Sequence, residues 1–188
     1  MDLGATMEVK LTPIIETFFM ETEIDISDWD ALCEAATNFK DKYEVDACTI
    51  QYEDTALMPR IDDTPVVREM VDKINQAVGS VVNYDLALYE LWGCKKQYKQ
   101  SMMFHSHYDV REHDPDNLSF AFYAQADERN GALCFPIHIY GVAMERRFVP
   151  KRGKLIVFPS WLYHYTQHED NPDAPDRIVI SGNYGVVE

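Results

Sequence analysis

The chain has 188 residues, with 17 Lys+Arg against 32 Asp+Glu, for a formal net charge of −15 at pH 7. Nucleic acid and anionic membrane surfaces are thereby disfavoured as partners, because both attract proteins through their negative charge. With 46% apolar and 12% aromatic residues, the chain can build one sizeable core; this excludes general disorder, and the length fits one domain, residues 1–188.

The most apolar N-terminal piece, Leu11 to Met20, follows no basic stretch and is interrupted by Pro13 and Glu16. Neither a signal peptide nor a membrane span is expected there, and the expected location is cytoplasmic. Cys33, Cys48, Cys94 and Cys134 form no CxxC pair and are expected to be small core thiols. Ser27 and Asp30 have capping-box-like spacing ahead of Leu32, Cys33, Ala36 and Phe39, so a helix is predicted to run to about Lys42. Thr64 and Pro65 open a second, whose stripe of Val67, Met70, Val71, Ile74 and Val78 ends near Gly79.

From Tyr84 the texture changes to short β-branched and aromatic runs separated by turn formers. Strands are predicted at Leu86 to Gly93, Met102 to Tyr108, Leu118 to Gln125, Ala132 to Tyr140, Arg146 to Val149, Lys154 to Phe158, Leu162 to Gln167 and Ile178 to Tyr184. Breakers such as Asp114-Pro115-Asp116-Asn117 and Arg129-Asn130-Gly131 lie between them. The expectation is a mainly β fold with flanking helices: a jelly roll over 85–188, buttressed by a strand-helix support region over 1–84. A doubly wound α/β fold needs helices between its strands, for which there is no room.

Histidine carries the chemical signal. His107 and Asp109, two apart, fall on one face of a strand, His164 sits on a later strand, and Arg177 follows it by thirteen residues. An isolated His-x-Asp also reads as a hydrogen-bonded pair at a strand end. Joined by a second His, it makes the facial triad that leaves three open positions on a non-haem Fe(II).

In these segments the chain resembles the 2-oxoglutarate and Fe(II)-dependent oxygenases, in particular their prolyl-hydroxylase-like branch, which includes oxygenases encoded by phages. The likeness spans roughly Leu88 to Val187 and is carried by five pieces: His107-Tyr108-Asp109, Ser119 to Tyr123, Asn130 to Pro136, Gly153 to His164, and Arg177 to Ser181. It implies a double-stranded β-helix, with Fe(II) on His107, Asp109 and His164. Arg177 would grip the far carboxylate of 2-oxoglutarate, Tyr123 would assist, and Tyr98 is a further candidate for the co-substrate pocket. Two imidazoles and one carboxylate would leave the ferrous ion one positive charge, suited to an anionic 2-oxo acid. The planar fork of Arg suits a carboxylate as Lys does not.

The implied reaction couples 2-oxoglutarate and dioxygen to hydroxylation of an unactivated C–H bond, with ascorbate as an auxiliary reductant. A prolyl residue of a peptide or protein is the first substrate and a free amino acid or small metabolite the second; a phage-encoded enzyme would work in the host cytoplasm. Ser181 stands four residues after Arg177 where many relatives have Ser two after it, and Gly131-Ala132 replaces the usual Gly pair.

His105 opens a rival reading. With His107, Glu112 and His164 it matches the metal motif of cupins, which share the double-stranded β-helix; Arg177 favours the oxygenase. On the oxygenase reading His105 lies near the metal or in the substrate cleft, or is solvated. An inactive jelly-roll binding module is the non-enzymatic rival. Lys95, Lys96 and Lys99, and Arg146, Arg147, Lys151, Arg152 and Lys154, read as solvated strand ends and turns. Trp161, Tyr163 and Tyr165 alternate around His164, so one face should be core and the other is a candidate cleft wall.

Overall fold

The computed structural model describes residues 18–38, 61, 63–107, 116–139 and 142–187. Helix α1 (Trp29–Thr37) starts at Asp28, whose extended backbone and carboxylate cap it by accepting from Ala31 N at 3.0 Å. Ser27, expected at the cap, is drawn instead to Glu69, which accepts from both its backbone N–H and its hydroxyl. The predicted extension of α1 through Phe39 to Lys42 lies outside the described residues. Helix α2 (Pro65–Gly79) has the predicted bounds: Thr64 caps Val67 N at 3.4 Å, Pro65 fills the first turn, and Val67, Met70, Ile74 and Val78 are buried. No helix among the described residues is long and apolar enough to cross a membrane.

All eight predicted strands are present, β4 with its predicted bounds and the others with shifted ends, and a ninth precedes them. Strand β1 (Met20–Glu23) is followed by β2 (Leu86–Lys96), β3 (Met102–His105), β4 (Leu118–Gln125), β5 (Leu133–Ile139), β6 (Val142–Phe148), β7 (Lys154–Pro159), β8 (His164–Thr166) and β9 (Arg177–Val186). They form two antiparallel sheets, ordered β1-β7-β4-β9-β2 and β3-β8-β5-β6. Strand β1 lies in the strand-helix region expected over 1–84 but was not located in the sequence, because four residues with two exposed glutamates carry too little apolar pattern; its place on the edge of β7 is set by pairing.

The larger sheet is covered on both faces, which fixes the site. Leu118, Phe120, Phe122 and Ala124 of β4 pack with Leu155, Val157, Ile178 and Ile180 under the helices. The alternate residues, Ala121, Tyr123, Ile156 and Phe158, meet Leu133, Phe135 and Phe148 of the smaller sheet. Two-residue alternation therefore turns Ser119, Arg177 and Asn183 toward the space between the sheets. Gly93 lets α1 approach β2, since a Cβ there would overlap the backbone of Ala36. Cys94 is disulfide-bonded, contrary to the expected core thiol, whereas Cys33 and Cys134 are free. Scattered cysteines do not reveal which thiols a fold brings together.

Candidate metal centre

Cross-strand pairing puts His105, at the end of β3, opposite His164, at the start of β8. His107, two residues on, is tied to the loop after β7 through its backbone N–H, which donates to Ser160 O at 3.0 Å. One ligand nitrogen from each of His105, His107 and His164 lies within 4.8 Å of the others. Trp92 (5.3 Å to the His107 ring), Phe135 (5.4 Å to His164) and Phe158 (4.9 Å to His164) wall the cluster.

Hydrogen bonds to the far side of each ring fix the tautomers. A carbonyl can only accept, so His164 Nδ1, 2.9 Å from Leu162 O, and His105 Nδ1, 2.7 Å from Met103 O, both carry hydrogen. His107 Nδ1 lies 2.9 Å from Asn183 Oδ1. That amide cannot be reversed without cost, because its nitrogen donates to Glu90 Oε2 at 2.6 Å while Ser119 Oγ donates to its oxygen at 2.7 Å. His107 is therefore protonated on Nδ1 too, and all three rings keep a lone pair on Nε2. His105 and His107 bring their Nε2 atoms to 3.3 Å.

Burial holds His107 down to about 3; His105 also adds to that shift, while Asn183 opposes it. Burial likewise drives His164 well below its ordinary value, helped by the two other imidazoles, and lowers His105. The imidazoles are neutral around pH 7, and two lone pairs facing each other with no proton between them repel. A cation among them removes that repulsion, and nitrogen donors braced by carbonyl and amide acceptors suit Fe(II) or its divalent analogues.

Arg177 lies at the other end of the same interior, 1% exposed. Its Nε is 3.0 Å from Glu169 Oε1, an ion pair outside hydrogen-bond alignment. Nη1 donates to Gly131 O at 2.7 Å and Nη2 to Thr166 Oγ1 at 3.1 Å. Each terminal nitrogen carries two N–H groups, so one on each remains beyond these contacts. Glu169 is itself held, its Oε2 accepting from Asn130 Nδ2 at 3.0 Å and Gly131 N at 2.9 Å. Thr166 is two residues from His164 on the same strand face, roughly 6–7 Å along β8. The terminal carbons of a five-carbon diacid are roughly 5 Å apart, so the spacing fits a molecule that joins the cluster to Arg177.

Tyr123 is buried near Arg177 and Glu169; burial is the main cause pushing its hydroxyl up to about 12, with Arg177 opposing, so it stays a donor at neutral pH. Tyr98 is half-exposed in the turn after β2, under the Lys99 ammonium. That turn is pinned to the Arg177 end by Lys99 N donating to Glu169 O and Glu169 N donating to Gln100 O. Asp109 and Glu112 lie outside the described residues. Tyr163 is exposed and stacks on Phe104 at 5.0 Å, while His164 is buried, in line with the expected alternation.

The sequence reading left His105 without a firm role although His-x-His already put it on the face of His107. Asn183, Glu90 and Glu169 it missed altogether. Asn183 had a weak signal, six residues from Arg177 and thus on the same strand face; Glu90 and Glu169 had none.

No family model matches the chain, and no curated protein matches its sequence. Solved structures do. EctD from S. alaskensis with 2-oxoglutarate and 5-hydroxyectoine matches with a TM-score of 0.63 at 17% identity, over 90% of this chain and 72% of that one. HygX from Streptomyces hygroscopicus with nickel and 2-oxoglutarate bound gives 0.52 at 17% identity, over 66% and 68%. The non-heme alpha ketoglutarate dependent epimerase SnoN from nogalamycin biosynthesis gives 0.53 at 10% identity, over 65% and 57%. The fold is the jelly roll of 2-oxoglutarate oxygenases. The double-stranded β-helix expected from the sequence is thereby established.

Proposed function

We propose that the chain is a single-domain 2-oxoglutarate- and Fe(II)-dependent dioxygenase that hydroxylates an unactivated C–H bond. The observation that carries this reading is the pairing of converging Nε2 lone pairs on His107 and His164 with the Arg177 guanidinium beside Thr166, at the span of the co-substrate. His107, His164 and Asp109 would hold the iron, Asp109 by its spacing in the sequence. Ferrous iron, when bound, supplies the chemistry toward dioxygen that no side chain offers.

The chain's own residues do the rest. Arg177 receives the distal carboxylate on its two remaining N–H groups, and Tyr123 keeps a donor hydroxyl beside it; Tyr98 borders that end from its turn. Glu90 and Ser119 hold Asn183, which keeps the His107 proton on Nδ1. Trp92, Phe135 and Phe158 keep bulk water from the metal. The balance is one dioxygen and one 2-oxoglutarate giving succinate, carbon dioxide and one hydroxyl on the substrate, with ascorbate maintaining the ferrous state. The reaction would run in the cytoplasm.

A prolyl residue of a peptide or protein is the substrate that the sequence resemblance supports. The fold likeness to EctD and HygX, crystallised with small molecules, supports a small polar metabolite as the second reading. Anaerobic titration of the purified chain with Fe(II) and 2-oxoglutarate is expected to raise a weak visible charge-transfer band, and air is then expected to yield succinate. A chain that binds Fe(II) but gives no band with 2-oxoglutarate would remove the co-substrate. Succinate formation stimulated by prolyl peptides, or only by small polar metabolites, chooses between the substrates.

A further inference from the structure

We propose that His105 is a third imidazole ligand, so that without co-substrate the metal centre is a three-histidine site made by His105, His107 and His164. The inference rests on the reading that this cluster holds a metal, and it adds a nitrogen donor to the two that the proposed activity uses.

The geometry favours His105 as strongly as either partner. Its ring centroid is 4.3 Å from that of His164, against 5.0 Å between His107 and His164 and 5.2 Å between His105 and His107. Its Nδ1–H is committed to Met103 O, so the atom it directs at the cluster is a lone-pair nitrogen. That nitrogen is 3.3 Å from His107 Nε2, too close for two acceptors to face each other comfortably without a cation between them.

The backbone supplies an independent observation. Met102 pairs with Thr166 and His105 with His164, three residues on β3 against two on β8, so the ladder carries a bulge between them. The extra residue leaves Met103 and Phe104 exposed and turns His105 in phase with His164. Unbulged alternation would have sent Phe104 inward and His105 out, placing an apolar ring where the imidazole now stands. A third imidazole donor favours borderline ions such as Ni(II), Cu(II) and Zn(II) over Mn(II). A six-coordinate ion that kept His105 beside the triad would have two positions left, so the test is made without 2-oxoglutarate.

The full chain, stripped of metal and loaded with one Cu(II), is examined by pulsed electron paramagnetic resonance, which counts coordinated imidazoles through their remote nitrogens. Co(II) affinity is measured in parallel by competition with a chelating dye. Three imidazoles are expected for the parent and two for His105→Ala, with Co(II) affinity falling about ten-fold or more and His168→Ala matching the parent. Two imidazoles in the parent, or an unchanged count and affinity in His105→Ala, would overturn the proposal; should that variant fail to fold, the parent count decides. Three imidazoles with no 2-oxoglutarate band would overturn the dioxygenase reading alone. Two imidazoles with a clear band would overturn the His105 assignment alone, and a parent that binds no metal would overturn both.

Discussion

Asn183 shows how much of a candidate metal centre can lie one bond beyond the side chains that would bind the ion. Its amide oxygen accepts from His107 Nδ1 and its nitrogen donates to Glu90, so the His107 tautomer is set by a carboxylate that never approaches the cluster itself. Asn183→Leu should lower Co(II) affinity about 10–100-fold, the range for loss of such a brace, while Asn183→Asp, which keeps an acceptor, should retain most of it. The Asp variant is paired with Glu90→Gln, so that an amide rather than a carboxylate faces the new carboxylate. Chelator competition reads both, and equal affinities in Asn183→Leu and the double variant would remove Asn183 from the metal's support. Arg177→Lys should raise the 2-oxoglutarate KM about ten-fold or more with metal content unchanged, because one of two charge-assisted bonds, on the order of 1.5–3 kcal/mol, is lost. An unchanged KM would take Arg177 out of the pocket. Asp109→Ala should abolish turnover and weaken iron binding where Glu112→Ala leaves both nearly intact, measured by succinate release and bound iron; the reverse outcome is the cupin pattern. At this scale type and spacing singled out His107, His164 and Arg177, whose side chains the structure turns into one interior. The sequence hid Glu169 and Glu90, because a carboxylate that neutralises or orients another group is defined by proximity across 8 residues in one case and 93 in the other.

Strand existence was legible because β-branched and aromatic runs end at turn formers, and β4 was placed to the residue at Leu118–Gln125. Which way each strand faces was not, since a strand buried on both faces has no apolar-polar alternation to read. The bulge in β3 was equally hidden; nothing in Met102-Met103-Phe104-His105 announces an extra residue, and it decides which side chains enter the site. The α1 cap moved by one residue because Asp28 and Ser27 are both good caps and a distant partner, Glu69, took the serine. Element packing yields its own test at Gly93, where a Cβ would overlap the backbone of Ala36. Gly93→Ala should push α1 away from β2 and cost roughly 1–3 kcal/mol, the usual penalty of overpacking. Urea denaturation of the metal-free chain measures it, and a loss below about 0.5 kcal/mol, the scale of a surface substitution, would show that α1 can shift freely.

For the whole molecule, the buried His164 and the half-buried His105 and His107 tie stability to acid in a way that separates this cluster from exposed histidines. In the folded state His107 is held down to about 3, His164 is well below its ordinary value and His105 is lowered, whereas in the unfolded chain all three titrate near 6.5. Below about pH 6.5 the unfolded chain therefore binds protons that the folded chain does not, and stability falls as pH drops toward His107's folded value. Above that window these groups contribute nothing to the slope. Easing of the repulsion behind the −15 net charge acts in the opposite direction as carboxylates protonate, so the raw acid profile mixes two effects. Metal would separate them, because an ion that binds only the folded chain stabilises it by about 2.7 kcal/mol at a hundred-fold excess over its Kd. Because the folded chain holds His107 down to about 3 and His164 well below its ordinary value, protons compete weakly for these two donors, and the stabilisation by Co(II) should fall less between pH 7.5 and pH 5.5 than it would at free imidazoles titrating near 6.5. Chemical denaturation with and without Co(II) at the two pH values gives the comparison. If the increment collapsed at pH 5.5, the histidines would be taking up protons in the folded state, and the burial that keeps their lone pairs available for a metal would be lost.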